Sequence, residues 1–358
     1  MKILFVVACF GFLLLNGLLL NAAGVESRRC HCDDNGGDDN GGDDNDDDGS
    51  DQPSYKLFVF GDSFADTGNI QKGLHQKWET RGWYVPYGMS DEEHDNKPTG
   101  RCSDGMVMSD FLAKIILGEK KGTPPPERSR RRDGVDLSSG INFANSGSGV
   151  YPGWNLDTQI DRFRKLLRHK IISRDLSQSV ALVSIASGAD YADVPSDFAD
   201  MDPEYMANVT DGIVDGVRQL QDLGIDIVLC HKDKITAAHN KHLLHKLGDD
   251  DSVLLLDLNY VFKSIVTPKT GKLYYIECKL RTSRRETRTV VAHAVLRELR
   301  REWRGGFCGQ VDGEGNLQYT LCDRPDKYFY WDKTNPTQAG WKAVMEQLEG
   351  PIREYLRL

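Results

Sequence analysis

The residues able to do chemistry lie in two short strings far apart in the chain. The first, Phe60-Gly61-Asp62-Ser63-Phe64-Ala65-Asp66-Thr67-Gly68-Asn69, follows the apolar run Lys56 to Phe60. Ser63 falls two residues past a glycine at the end of that run. This placement exposes a hydroxyl at the mouth of a sheet, ahead of a turn whose backbone amides can face an oxyanion. A serine hydroxyl becomes a useful nucleophile when a neighbouring base takes its proton. The second string, Trp331-Asp332-Lys333-Thr334-Asn335-Pro336, holds a carboxylate and, three residues on, an amide. An amide side chain cannot accept a proton near pH 7. The two strings supply a nucleophile and an acid, and no base between them.

Elements that could position these strings are legible from Tyr55 onward. Apolar runs at 56–60, 140–144, 179–186, 225–230 and 252–258 suit strands buried on both faces, hence a parallel sheet. Helical periodicity lies between them. Ile160, Phe163, Leu167 and Ile171 share one predicted face; Ile213, Val217 and Leu220 share another, with Gly224 placed to stop that helix. The alternation predicts a three-layer α/β/α sandwich with a central parallel sheet, in which ligands bind at the C-terminal ends of strands. Asn335, Pro336 and Gln338 read as cap, first and third positions of a final helix with apolar residues Trp341, Val344, Met345 and Leu348.

The longer strings resemble the plant GDSL esterase/lipase family of the SGNH hydrolase superfamily. The resemblance runs from about Tyr55 to the C-terminus. It rests on FGDSFADTGN (60–69), PTGRCSDGMVMSDFLA (98–113), GINFANSGSGV (140–150), SGADY (187–191) and FYWDKTNPTQAGW (329–341). It implies ester hydrolysis through a serine acyl-enzyme, without metal or cofactor. Ser63 is then the nucleophile, the Gly147 and Ser63 amides hold the oxyanion, and Asp332 orients a base. The family places an asparagine, a second oxyanion donor, where this chain has Ala189, and a histidine where it has Asn335. Two of four functional groups are missing, and impaired turnover is expected. Three readings follow: a slow esterase or acyltransferase using substrate assistance or a distant histidine, a binder of an acyl or glycan ligand, or a degenerate product. His239, His242 and His245 lie on a helix-like stretch expected to face solvent, and His231 and His293 have no motif placing them near Ser63. The turn that plant members carry after the fourth strand is missing before HKDKITAAHNKHL (231–243).

The remaining sequence frames the domain. Residues 1–23 read as a secretory signal peptide, with an N-terminal anchor as the alternative; residues 24–54 read as a disordered acidic linker, and 55–358 as the hydrolase-like domain. Residues 33–51 hold ten aspartates, more than the whole net charge of −9, so the rest is nearly neutral and charge alone selects no partner. An extracellular, cell-wall location follows, with an ester substrate, no nucleic acid and no stable membrane insertion; the oligomeric state stays open. Asn208-Val209-Thr210 is a glycosylation sequon expected just before a helix. Seven cysteines remain after signal removal, an odd number, and Cys308 and Cys322 are the expected disulfide. Cys30-His31-Cys32 is too short to close a metal site. Residues 279–304 carry nine Lys/Arg and a helical stripe, Ala292, Leu296, Leu299 and Trp303, readable as a basic amphipathic helix, a solvated face or a gene-model error.

Overall fold

The computed structural model describes residues 55–358 except 74–76, 152–154, 186–189, 192–201, 226, 229–233, 267–308, 318, 320, 322–323 and 333. The expected signal peptide and acidic linker, Ala189, the expected Cys308–Cys322 disulfide and the basic stretch 279–304 lie outside the described residues.

Strand β1 (Lys56–Gly61) is the centre of a parallel sheet, flanked by β2 (Gly140–Asn142) and β3 (Ser179–Ser184) in the order β2-β1-β3. The register sets Phe58 opposite Ile141 and Ala181. Two shorter strands, β4 (Ile227–Val228) and β5 (Val253–Leu254), pair in parallel, with β4 alongside β3. The apolar runs therefore give strands: β1 extends one residue past its run, and β2, β3 and β5 are shorter than theirs.

Successive side chains of a strand point to opposite faces, and here both faces are buried. Leu57 and Val59 of β1, with Val180 and Leu182 of β3, join one core. That core is completed by α1 (Met108–Leu117), α5 (Leu258–Val266) and the C-terminal α6 (Gln338–Leu356). Phe58, Phe60, Ala181 and Val183 enter the other core, covered by α2 (Leu156–Arg168), α3 (Pro203–Asp222) and α4 (Lys234–Leu247). The result is the three-layer α/β/α architecture.

Four local expectations are corrected. Helix α2 ends at Arg168 and Lys170 takes a positive φ, so Ile171 leaves the helical face and is 45% exposed. The sequon lies within α3: Asn208 is exposed, while Thr210 is buried and its Oγ1 donates to the Ala207 carbonyl. His239 is fully buried, its Nδ1 3.0 Å from the Tyr191 hydroxyl; the solvent-facing expectation fails because the apolar stripe of α4, with Leu243 and Leu247, runs through that side. The cap of α6 is Thr337, whose Oγ1 accepts from the Gly340 amide at 2.8 Å, which releases Asn335 for other work.

Candidate active site

The turn that carries Ser63 is built by the end of β1. Gly61 has φ +147, and a Cβ there would meet the Ser184 carbonyl oxygen of β3 at 2.1 Å. Only glycine lets the strands stay this close as the chain turns. Ala65 and Asp66 amides then donate to the Asp62 carbonyl, closing a tight turn that leaves Ser63 partly open to solvent.

Buried polar residues join this turn to the neighbouring loops. Asp66 accepts from the Gly68 and Asn69 amides through Oδ1, and from the Ser146 amide through Oδ2. Burial raises the Asp66 pKa despite these amides, which work to lower it. Asn69 donates to the Asn142 and Ala144 carbonyls at 2.8 Å. Both residues thus hold the turn. Gln159 of α2 accepts from the Gly61 amide and donates to its carbonyl, then reaches Ser148 Oγ at 3.0 Å. Asp190 accepts the Val150 and Tyr151 amides and braces the far side of the same loop. Between these braces Gly147 is exposed with φ +83, and a Cβ there would meet nothing within 4 Å. Among the described residues, neither the Ser63 nor the Gly147 amide is spent on a protein acceptor.

The C-terminal string meets Ser63 across the sequence. Ser63 Oγ donates to Asn335 Oδ1 at 2.9 Å, and Asn335 Nδ2 donates to Asp332 at 2.9 Å (Oδ1) and 3.0 Å (Oδ2). Chemistry fixes the orientation of the amide. An ionised carboxylate only accepts, so the NH₂ must face Asp332 and the carbonyl oxygen must face Ser63. The Asn335 and Thr334 amides also donate to Asp332 Oδ1, and the Trp331 amide to the Asn335 carbonyl, which closes the 331–335 turn. Asn335 is 1% exposed and Asp332 3%. Asn335 therefore stands between Ser63 and Asp332 in one hydrogen-bonded line, and the N-cap role expected of it belongs to Thr337.

Sequence reasoning did not find what lies behind Asp332. Arg81 Nε and the Tyr87 hydroxyl each donate to Asp332 Oδ2 at 3.0 Å, and Arg81 is itself buried. The guanidinium lies over the Trp78 ring, 3.8 Å from its centroid. Burial opposes charge on both partners. Their attraction outweighs it, holding the Asp332 carboxyl below the usual carboxylate range and the Arg81 pKa above its ordinary value. No motif or periodicity in TRGWYVPYG (80–88) marks Arg81, because the contact joins residues 251 positions apart. Cys102 is a free thiol buried nearby, 3.5 Å from Ser146 Oγ, and burial pushes its pKa up.

Among the described residues, no histidine hydrogen-bonds Ser63, and no cluster of ligating side chains could hold a metal ion. No helix among them is long and apolar enough to cross a membrane.

The family model described as GDSL-like Lipase/Acylhydrolase matches residues 57–348. Two Arabidopsis thaliana proteins, GDSL esterase/lipase At5g03610 and GDSL esterase/lipase At5g03590, are each 31% identical. The alignments cover 82% of this chain and 85% of the relative for the first, and 84% and 90% for the second. With the family strings in order on a three-layer sandwich and the match spanning most of the domain, the chain belongs to the GDSL lipase/acylhydrolase family.

Proposed function

We propose that this protein is an extracellular GDSL-family ester hydrolase, directed at lipid or acylated cell-wall glycan esters, whose turnover is held down by the amide at position 335. The observation that carries the reading is the directed chain Ser63 Oγ–H to Asn335 Oδ1, Asn335 Nδ2–H to Asp332. In a working triad the central group accepts the serine proton as the carbonyl is attacked. Here the central group accepts a hydrogen bond and cannot accept the proton. Ser63 remains the nucleophile, the Ser63 and Gly147 amides remain oxyanion donors, and Asp332 orients the amide.

Magnitudes support impairment over inertness. Loss of a triad histidine costs on the order of 10⁶ in kcat in a well-studied protease. An oxyanion donor missing at Ala189 costs about 10²–10³ taken singly, and grouped losses do not add. What survives is at most roughly 10³–10⁴ over water.

The experiment is turnover of a short-chain nitrophenyl ester by the purified full chain. A slow rate is expected, and its difference from the Ser63→Ala rate measures the acyl-enzyme route, because the part carried by binding and oxyanion donors stays. A rate typical of an intact serine esterase would overturn the assignment of impairment. A second reading, a ligand binder without turnover, is favoured by the closed hydrogen-bonding of Asp332, which is satisfied with no histidine present. It predicts no Ser63-dependent rate and a rise in thermal midpoint with an acyl ligand.

A further inference from the structure

The segment after the nucleophile turn carries cations that the catalytic machinery does not use. Lys72 and Arg128 are exposed, and each stands over an aromatic ring: Lys72 Nζ is 5.2 Å from the Tyr84 centroid and the Arg128 guanidinium 5.7 Å from the Trp83 centroid. The rings are themselves fixed. Trp83 Nε1 donates to the Ile70 carbonyl, its ring packs on Gly68 and Gly100, and the Tyr84 hydroxyl donates to the Gly73 carbonyl. Arg128 Nη1 donates to the same Ile70 carbonyl at 2.7 Å. Arg131 and Arg132 follow in a turn closed by the Arg132 amide on the Ser129 carbonyl, and both are exposed. Among the described residues, none of these four side chains forms an ion pair. Glu127 is engaged by Arg130 and Arg162, which leaves Glu79 and Asp133 as the exposed acids of these segments.

The patch is tied directly to the reacting turn. The Arg128 amide donates to Asn69 Oδ1 at 3.2 Å, and the Asn69 amide donates to Asp66 at 2.6 Å. Six residues separate Ser63 from Asn69, at most about 20 Å of fully extended chain and less in a turn. Asn69, which accepts from the Arg128 amide, therefore lies within an extended substrate's reach of Ser63.

We propose that Lys72, Arg128, Arg131 and Arg132 form a docking subsite for a glycan chain bearing carboxylates, which presents an ester-substituted sugar to Ser63. This narrows the substrate class and rests on the ester-hydrolase reading above. Guanidinium groups match carboxylate geometry in two parallel bonds, and a cation already held over a ring loses less freedom on binding. The patch fits an anionic polymer better than an anionic membrane. A membrane-binding face adds exposed apolar side chains to its cations, and Val85 is the only exposed large apolar side chain described between 70 and 132.

The test uses the full chain and three probes: polygalacturonate, a neutral galactan, and vesicles of phosphatidylserine and phosphatidylcholine. Polygalacturonate is expected to bind, weakening steeply with added salt. Lys72→Gln with Arg131→Gln and Arg132→Gln, all exposed positions, should lose about tenfold or more in affinity at low salt, as unpaired surface charges dominate such contacts, with an unchanged thermal midpoint. Arg128→Gln is a separate variant because its guanidinium also bonds the backbone. Equal binding of the neutral galactan, unaltered affinity in the triple variant, binding to the vesicles alone, or no polymer binding at low salt would each overturn the proposal. Turnover of a small nitrophenyl ester does not pass through this surface. Its rate in the triple variant should match the parent, so failure of docking and failure of the ester-hydrolase reading are read separately.

Discussion

Ser63 Oγ and Asn335 Oδ1 stand 2.9 Å apart with the hydroxyl as donor, and the far end of the same amide is clamped to Asp332. The three side chains form one hydrogen-bonded line whose central group is an amide, which cannot accept a proton near pH 7.

Replacing that one group gives the first prediction. Asn335→His places an imidazole between the same two partners, with one ring nitrogen toward Asp332 and the other toward Ser63. Nitrophenyl-ester turnover should rise by about a hundredfold or more, given the size of the triad histidine's contribution. Ala189→Asn should raise it further, by up to about 10²–10³ if a side-chain oxyanion donor is regained. The pH profile is the stronger readout. The gained rate should fall as pH drops through the imidazole range, near about 6.5 for an unperturbed histidine, a limb that the parent's residual rate lacks. A well-folded double variant with no gain would show that the loops around Ser63 no longer support acyl transfer.

The second prediction concerns Arg81. It is buried, it donates to Asp332 Oδ2, and Asp332 bonds the group that holds Ser63. Arg81→Met leaves a carboxylate enclosed with the Tyr87 hydroxyl as its remaining donor on that side apart from the Asn335 amide. Breaking one partner of a buried pair costs about 3–5 kcal/mol, so denaturant unfolding should show a loss of that order. Arg81→Met with Asp332→Leu removes both charges and should cost less than the sum of the two single changes. Strict additivity in that cycle would mean the two side chains do not act as a pair.

The sequence made some of this site legible and hid the rest for identifiable reasons. Ser63, Asp66 and Asn69 share one turn, and Gly61 announces it, so local spacing suffices. Sheet strands show as apolar runs because both of their faces are buried. Asn335 reads as a helix cap because Asn-Pro and Thr-Gln both start helices well, and its place beside Ser63, 272 positions away, is legible only through the family resemblance. Arg81, Tyr87 and Gln159 were invisible for the same reason: each acts through a contact made by the topology, with no periodic or motif signal of its own. His239 fell on the wrong side of α4 because its ring is amphipathic and tolerated in a core when the Tyr191 hydroxyl partners it.

The last prediction is the pH dependence of the Arg81–Asp332 contribution. The Asp332 carboxyl is held below its ordinary range, with burial opposing and the Arg81 charge and surrounding amides prevailing. A carboxyl depressed in the folded state stabilises that state fully above its unfolded pKa, about 3.9, and loses the contribution as pH falls through the folded value. Asp110, bonded twice by buried Arg101, is shifted the same way and adds to the effect. Asp66 and Asp104 are shifted upward by burial and contribute with the opposite sign, favouring the folded state as pH falls. The stability difference between the parent and Arg81→Met should therefore be largest above about pH 4 and shrink as pH falls below it. Once Asp332 is protonated, the parent's Arg81 is the buried charge without a counterion, and the variant should equal or exceed the parent. Unfolding midpoints measured from pH 3 to pH 7 on both proteins would read this directly, and a difference that stays constant across the range would refute the ion-pair account.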